Sequence, residues 1–538
     1  MGGLGEIGRN MMLYEYKHQV LIVDSGLMFP ENDMLGIDYI IPDLEILKQK
    51  QVVAIIITHG HEDHIGAIHH LLEIVQAPIY ATQLTRGLLE VKLARYGCLK
   101  GADIRTVKAG DKLNIDPFQI EFIHMSHSIP DCVGLAIETP AGLVVHSGDF
   151  KFDHTPVDGW PSDFARLASL SQRGVMVLLT DSTNAEEPGW TPSEREVDKA
   201  FDQVLRQAKG RVIIASFASL ISRIQQAVNA AVRHGRKIAF TGSSMVDNAK
   251  MARSLGYLTI PDGLLVPLEQ ALNMKAAEVL IMCTGAQGEP TSILGRLSRG
   301  SYRGFDIRPG DTVVLSSQVI PGNEENVYRT INSLFQQGAD VIYEKIAPVH
   351  VSGHASQEEI KLLLNLVQPA YYIPIHGELR HLKQNGALAR QVGIPPENIA
   401  VIENGQVVEF ENGKMRLAEK VPAGYVFVDG GGVGDVGPDI MREREVMSRE
   451  GIVLVHLVIE PLKIRLAAEP FITSYGFMAA DDLQEVVVKI RQKISEIVTL
   501  SRQSEDLTKE IEQAVRTVIF SETRRRPRVF VSVSYIQP

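Results

Sequence analysis

Directly after an apolar run, VVAIIIT, the chain reads Thr58-His59-Gly60-His61-Glu62-Asp63-His64, followed by Gly66 and a helix-like segment. Borderline-soft divalent ions such as zinc favour imidazole nitrogen, with carboxylate oxygen as a further ligand. A loop at the end of a strand can direct four such groups into one small volume, whereas a continuous helix would splay His59 and His61 to different faces. Three imidazoles and a carboxylate approach the capacity of one tetrahedral centre, so the density of the motif points to more than one ion. The bland alternative is a polar surface loop, and four candidate ligands in so short a span argue against it. Two later strand ends add His127, in His124-Met125-Ser126-His127, and Asp149, in His146-Ser147-Gly148-Asp149. A carboxylate suits the place between two cations, because its two oxygens can relieve their repulsion. His124 and His146 read as buried partners behind the ligands.

The elements that must position these groups come first as sheet layers covered by helices. YEYKHQVLIVDSG predicts two strands and a turn, VVAIIIT a buried strand, and GAIHHLLEIV a helix, while VGLAIETP and GLVVHSGD predict a hairpin. From about Ser193 to Ala347 helices and β-branched runs alternate, which predicts an α/β unit with a largely parallel sheet. Motif-rich sequence then resumes, with a helix at SQEEIKLLLNLV and strands at YYIPIH and VVEFE. Ser356 followed by Glu359 can cap that helix with a capping box. The same helix start, with His350, Ser352, Gly353 and His354 before it, is also a natural place for a phosphate. The glycine-rich stretch DGGGVGDVGPD reads as a linker. Beyond it IVLVHLVIE, helices from about Asp481 to Leu500 and from about Ser504 to Phe520, and RVFVSVSY predict a small α+β domain.

The 538 residues are too many for one ordinary core, so several domains are expected. No segment approaches the unbroken apolar run of about 18–20 residues that a membrane span requires, and the beginning lacks a signal-peptide pattern, so a soluble cytoplasmic protein is expected. Cys98, Cys132 and Cys283 suggest neither disulfides nor a cysteine-rich metal knuckle. A net charge of −11 excludes a nonspecific coat for nucleic acid. A polyanionic substrate would need a local basic channel, for which Arg223, Arg296, Arg299, Arg303, Arg308 and Arg380 are candidates. The tract Arg524, Arg525, Arg526, Arg528 reads as guarding a sheet edge.

His-x-His-x-Asp-His, then His127 and Asp149, resembles the metallo-β-lactamase fold hydrolases. The resemblance implies an αββα sandwich in which His59, His61 and His127 hold one zinc and Asp63 and His64 another, with Asp149 between and Asp24 supporting the loop. Asp181 in LLTDSTN, His354 in VSGHASQ and His376 in YYIPIHGE resemble the three further motifs of the β-CASP branch, and TGAQGEP and IPGNE extend the likeness to the ribonuclease J family over nearly the whole chain. A histidine at position 376 is the form found in RNA-cleaving members, where it completes the second metal shell. The implied organisation is a first sandwich part over residues 1–193, an inserted β-CASP domain over 194–348, a second sandwich part over 349–430, a linker over 431–447 and a C-terminal α+β domain over 448–538.

The implied activity is RNA phosphodiester hydrolysis, 5′-to-3′ exonucleolytic and endonucleolytic, in messenger RNA decay and ribosomal RNA maturation. Asp63, Asp181 and His354 are the implied catalytic residues, with His354 protonating the leaving oxygen or stabilising charge. Two zinc ions per chain are expected, with manganese or magnesium as alternatives. The expected partners are single-stranded RNA, further copies of the chain in a dimer or tetramer, and proteins of an RNA-decay complex. Ser216, Phe217 and Ser219 resemble a segment lining the RNA 5′-end pocket, and His350, Ser352 and Gly353 join His354 as expected substrate contacts. The chain departs from the family at Leu220-Ile221-Ser222-Arg223, where Asn-x-His-Arg is usual, and the family places a strand ahead of GGLGEIG. A lactam or thioester hydrolase is the competing enzyme reading, and an RNA-binding scaffold the non-enzymatic one.

Overall fold

A computed structural model describes residues 1–320, 322–460, 465–500 and 507–536. Pro321 of the IPGNE motif, Ser504 where the last helix was expected to begin, and the final residues of the expected 448–538 domain lie outside them.

The chain divides into two units, one comprising Met1–Glu31 and Tyr39–Val426, the other Asn32–Asp38 and Phe427–Pro538. In the first, a five-stranded sheet runs in the order Met12–Tyr16, Gln19–Val23, Gln51–Ile56, Ile79–Ala81, Ile104–Thr106. A six-stranded sheet runs Tyr371–Ile375, Val175–Asp181, Gly142–His146, Val133–Thr139, Phe118–His124, Lys112–Ile115. Strand periodicity of two divides the apolar residues between layers. Leu21 and Val23 join Phe118, Ile120, Phe122 and Leu135 between the sheets, while Val20 and Ile22 face Leu71, Leu84 and Leu88 of covering helices. On the far side Ile123, Val145 and Leu178 pack against Leu167, Ile360 and Leu363. Each of these side chains contributes roughly 1.5–3 kcal/mol by leaving water. The result is the expected αββα sandwich.

Between Asp181 and Tyr371 the chain builds a separate, wholly parallel sheet in the order Lys237–Phe240, Val279–Cys283, Val212–Ala215, Thr312–Leu315, Asp340–Ile342. Helices Arg195–Gln207, Ile221–Arg233 and Ser243–Ser254 cover one face and Glu324–Gln336 the other. The chain then returns to the sandwich, where Tyr371–Ile375 pairs in parallel with Val175–Asp181 and sets Ile375 opposite Asp181. That pairing brings His376 beside Asp181 although an entire domain separates them in sequence.

In the second unit, Ile452–Glu460 is flanked by the parallel strand Arg528–Tyr535 and by the antiparallel strands Phe471–Tyr475 and Arg465–Leu466. Val453, Val455, Leu457 and Ile459 point into a core with Ile490, Ile494, Ile511 and Val515 of helices Ala480–Leu500 and Leu507–Thr523. The residues between, led by Leu454 at 38% exposed and Phe530 at 42%, lie on the open face. Two expectations need correction here. The 431–447 linker contains most of the helix Pro438–Glu450. It buries no side chain, so it lacks the apolar stripe that marks a helix in sequence; Pro at the first turn and an Arg/Glu-rich body suit it all the same. Residues Asn32–Asp38 belong with this unit: Asp38 N donates to the Val428 carbonyl at 2.9 Å and Arg444 Nη1 to the Leu35 carbonyl at 3.0 Å.

Candidate metal centre

The candidate ligands converge at the carboxyl ends of strands. His59 and His61 follow Gln51–Ile56 in extended loop, whereas Asp63 and His64 sit in the short helix Glu62–Ile65, a helical turn in place of the expected loop. His127 follows Phe118–His124, Asp149 follows Gly142–His146, Asp181 ends its strand and His376 follows Tyr371–Ile375. The turn that carries Asp63 is pinned from below. Ser25 N donates to the His64 carbonyl at 2.8 Å and Asn10 N to the Asp63 carbonyl at 2.9 Å. A Cβ on Gly26 would lie 1.5 Å from the Asp63 carbonyl oxygen, so only glycine lets the two segments meet. Asp24 and His376 adopt left-handed φ of 63° and 51°, strain that surrounding bonds must hold.

Two sets of side chains, His59, His61, His127, Asp149 and Asp63, His64, Asp149, His376, each bring one ligand atom per residue within 4.8 Å of the others. In the first, His61 Nδ1 lies 3.2 Å from both His59 Nε2 and His127 Nε2. In the second, Asp63 Oδ2 is 3.4 Å from His376 Nε2 and 3.6 Å from His64 Nε2, which is 3.1 Å from Asp149 Oδ2. A tetrahedral zinc with bonds of about 2.0–2.1 Å sets its ligand atoms about 3.3–3.4 Å apart, so both spacings fit an ion. Asp149 Oδ2 and His376 Nε2 are buried with no hydrogen-bond partner. A carboxylate oxygen and an imidazole nitrogen buried without a hydrogen bond at the point of convergence are costly unless a cation takes their place among the partners.

Bonds on the outer side orient the rings. His59 Nδ1 meets Thr58 Oγ1 at 3.0 Å, and that hydroxyl donates to Asp24 Oδ2 at 2.9 Å. His64 Nδ1 meets Asp24 Oδ2 at 2.8 Å, His127 Nδ1 the Gly353 carbonyl at 2.7 Å, and His376 Nδ1 Asp149 Oδ1 at 2.8 Å. Each acceptor takes one ring proton, which leaves a lone pair on the inward nitrogen of His59 and His127 and leaves the inward nitrogen of His64 and His376 to a metal or to a second proton. Asn10, which the sequence reading missed, sets its amide 3.1 Å from His64 Nε2 and 3.4 Å from Asp63 Oδ2; its place after a glycine-rich turn was the one available signal. His146 stands behind the centre with Nδ1 2.9 Å from the Tyr14 hydroxyl.

Burial drives His61 down to about 4 and holds His59 and His127 well below the ordinary imidazole range, where neighbouring imidazoles add to the effect. Burial opposes charge at His64 and His376 too, but there the carboxylates win. Asp149, Asp63 and Asp24 hold His64 well above its usual range, and Asp149, Asp63 and Asp181 push His376 up to about 10. Burial likewise opposes the ionised carboxyls of Asp63 and Asp149, yet His64 and His376 hold both below the usual range. His354 Nδ1 meets Asp181 Oδ2 at 2.7 Å and lies 3.9 Å from Asp149 Oδ2. Against the pull of burial, Asp181 raises it.

The expected substrate contacts are placed less uniformly. The helix start at Ser356 offers no free amides: those of Gln357 and Glu358 donate to the carbonyls of Glu187 and Gly189, and Ser356 N donates to buried Glu359 in the expected capping box. That turn is filled by its own carboxylate, which corrects the reading of it as a phosphate site. Gly353 packs under the centre, where a Cβ would lie 2.6 Å from His127 Cε1. Ser352 Oγ accepts from His354 N at 3.2 Å, and His350 is partly buried. Ser216 is fully buried at the end of Val212–Ala215, with Phe217 and Ser219 partly exposed. Arg223 is 2% exposed and paired with Glu194, so it is removed from the candidate basic channel; Arg380 is paired with Glu186 and Glu378.

Comparison with known proteins agrees over the whole chain. Residues 4–194 match the metallo-beta-lactamase superfamily, 209–334 the ribonuclease J beta-CASP domain, 338–398 the Zn-dependent metallo-hydrolase RNA specificity domain, and 439–536 the ribonuclease J C-terminal domain. Ribonuclease J 1 of Streptococcus pyogenes is 40% identical over 99% of this chain and 96% of its own. Ribonuclease J2 of Bacillus subtilis is 38% identical over 98% and 96%, and ribonuclease J of Thermus thermophilus 43% over 85% and 81%. A crystal structure of a protein of unknown function from Enterococcus faecalis shares the fold alone, at 14% identity and a TM-score of 0.52 over 78% of this chain and 98% of that one. With a metal-binding centre built at the edge of a metallo-β-lactamase sandwich, a β-CASP insertion and the matching C-terminal domain, the chain belongs to the ribonuclease J family of metal-dependent ribonucleases.

Proposed function

We infer that the chain holds two zinc ions, one by His59, His61, His127 and Asp149 and one by Asp63, His64, Asp149 and His376, and hydrolyses single-stranded RNA. The observation that carries this reading is the buried Asp149 Oδ2, common to both ligand sets and left without a hydrogen bond although His64 Nε2 stands 3.1 Å away. Bound metal supplies charge neutralisation and lowers the pKa of water from about 15.7 towards about 7, so that hydroxide is available at neutral pH. His354, 20% exposed on its side chain, turns its second ring nitrogen away from Asp181. It delivers a proton to the 3′-oxygen as the P–O3′ bond breaks and the water oxygen bonds to phosphorus, while Asp181 stabilises the imidazolium. Ser352 holds the His354 backbone in place.

Family membership supports 5′-to-3′ exonuclease and endonuclease action in messenger RNA decay and ribosomal RNA maturation, with Ser216, Phe217 and Ser219 toward the RNA 5′ end. Domain limits at 193, 348 and 430 go with this reading. The open face of the C-terminal sheet supports a homodimer or homotetramer. Leu454 pairs across to Phe530, and Phe471 and Tyr475 stand on the same face at 64% and 65% exposed. Among the described residues no helix is long and apolar enough to cross a membrane.

The deciding experiment combines elemental analysis with digestion of uniformly labelled 5′-monophosphate and 5′-triphosphate RNAs. Two zinc equivalents and release of mononucleotides from the monophosphate RNA are expected. A single equivalent, or full cleavage by an Asp63→Ala, His64→Ala double variant, would contradict the assignment.

A further inference from the structure

The chain passes from the sandwich into the insertion after Asp181 and back before Tyr371, and one buried guanidinium grips both crossings. Arg223 lies in helix Ile221–Arg233 of the insertion. On the inbound crossing its Nη2 donates to Glu194 Oε2 at 2.8 Å. On the outbound crossing its Nη1 donates to the Val349 carbonyl at 3.0 Å, and the same nitrogen reaches Ser316 Oγ, just past strand Thr312–Leu315, at 2.5 Å. Its Nε donates to Gln226 Oε1 at 2.8 Å, and Gln226 Nε2 donates to the Glu194 carbonyl at 2.8 Å.

A second buried cation completes the grip. Lys151, two residues beyond Asp149 and fully buried, donates through Nζ to the carbonyls of Pro192 at 3.2 Å and Ser352 at 3.1 Å and stands 3.6 Å from Glu194 Oε1. Glu194 therefore lies between two cations that hold the carbonyls of residues 349 and 352. The segment so clamped leads straight into the chemistry: Ser352 Oγ accepts from His354 N, Gly353 presents its carbonyl to His127, and His354 meets Asp181.

We propose that Arg223, locked to Glu194, is a positioning residue for RNA cleavage: through Val349 it sets the segment that aims His354 at the leaving oxygen. It carries the placement of the insertion to the proton donor without touching RNA itself. A displacement of about 1 Å at such a group can cost on the order of 10²-fold in rate.

The proposal rests on His354 acting as the acid, and the test separates the two. Arg223→Met, Arg223→Lys, Glu194→Gln and His354→Ala are assayed with full-length, metal-loaded protein on RNA, whose 3′-oxygen needs a proton to leave, and on bis(p-nitrophenyl) phosphate, whose phenolate leaves without one. Arg223→Met should lower kcat on RNA by about 10- to 100-fold with KM and aryl-ester hydrolysis within about threefold and metal content retained. Arg223→Lys should recover part of that loss, and Glu194→Gln, which keeps the shape of the site, should repeat it if Arg223→Met does not fold. Normal RNA turnover in Arg223→Met and Glu194→Gln, or parallel loss of both activities with metal, overturns the proposal. If His354→Ala shows no bias between the substrates, the acid assignment falls and this inference with it; if His354→Ala shows the bias and the Arg223 and Glu194 variants do not, this inference alone falls.

Discussion

The two halves of the metal centre share Asp149 but solve opposite electrostatic problems. Around His61 the ligands are imidazoles that burial and mutual repulsion keep neutral, so their lone pairs are ready for a cation at neutral pH. Around His64 the carboxylates of Asp63, Asp149 and Asp24 dominate, and without metal the needed positive charge arrives as protons on His64 and His376. A cation entering the second half must displace them, which couples its loading to pH, whereas the first half is free of that competition. Neutral and charged ligand sets a few ångströms apart thus give one centre two different sensitivities.

The most severe way to break the comparison is Asp149→Asn, which removes the charge common to both halves. RNA cleavage should fall to background and elemental analysis should show loss of metal from both. Next comes His354→Ala, which leaves both ligand sets complete. It should lower kcat on RNA by about 10²- to 10⁴-fold while metal content stays unchanged.

Gly353→Ala sharpens the distinction, because the added methyl presses on His127 and its neighbour Ser128, on the imidazole side of the centre. Metal titration should show about 10- to 100-fold weaker binding in the imidazole half, with the other half spared.

The pH test reads the carboxylate half. His376 is raised from an ordinary 6.5 to about 10, so its contribution to metal-free stability is fully present below about pH 6.5 and is lost as pH rises through about 10. Melting curves of chelated protein should decline across that window while stabilisation by added zinc grows, and a metal-free melting temperature that rises toward pH 10 would refute the assignment. The smallest effect on turnover is expected in the second unit, where Leu454→Asp with Phe530→Asp should reduce the mass measured by light scattering to that of a monomer and leave metal content unchanged.

Much of this was legible because the responsible patterns are local. The unbroken apolar run VVAIIIT showed a buried strand, whose Ile55 and Ile56 enter different cores, and His59 to His64 carried their chemistry in one short run. The helix Pro438–Glu450 escaped notice for want of an apolar stripe. Arg223 was misread for a different reason: a lone arginine in sequence looks the same whether it meets phosphate or a buried glutamate, and only packing distinguishes the two. The helix start at Ser356 shows the same limit, since its amides could serve an anion until Glu187, Gly189 and Glu359 were found to occupy them.

Residue types and spacing by themselves determined that the chain carries metal-ligand chemistry, that a parallel α/β unit follows layered sheets, and which family it resembles, because side-chain chemistry and strand or helix periodicity are written within a few residues; the sandwich and its interruption were what that resemblance implied. The tertiary structure alone decided that Asp149 Oδ2 is shared and lacks a hydrogen bond, that His376 arrives beside Asp181 after a domain-long detour, and that Arg223 clamps the crossings to and from that domain. These depend on non-local strand pairing and on burial, which settle whether a charge meets water, a metal or another side chain.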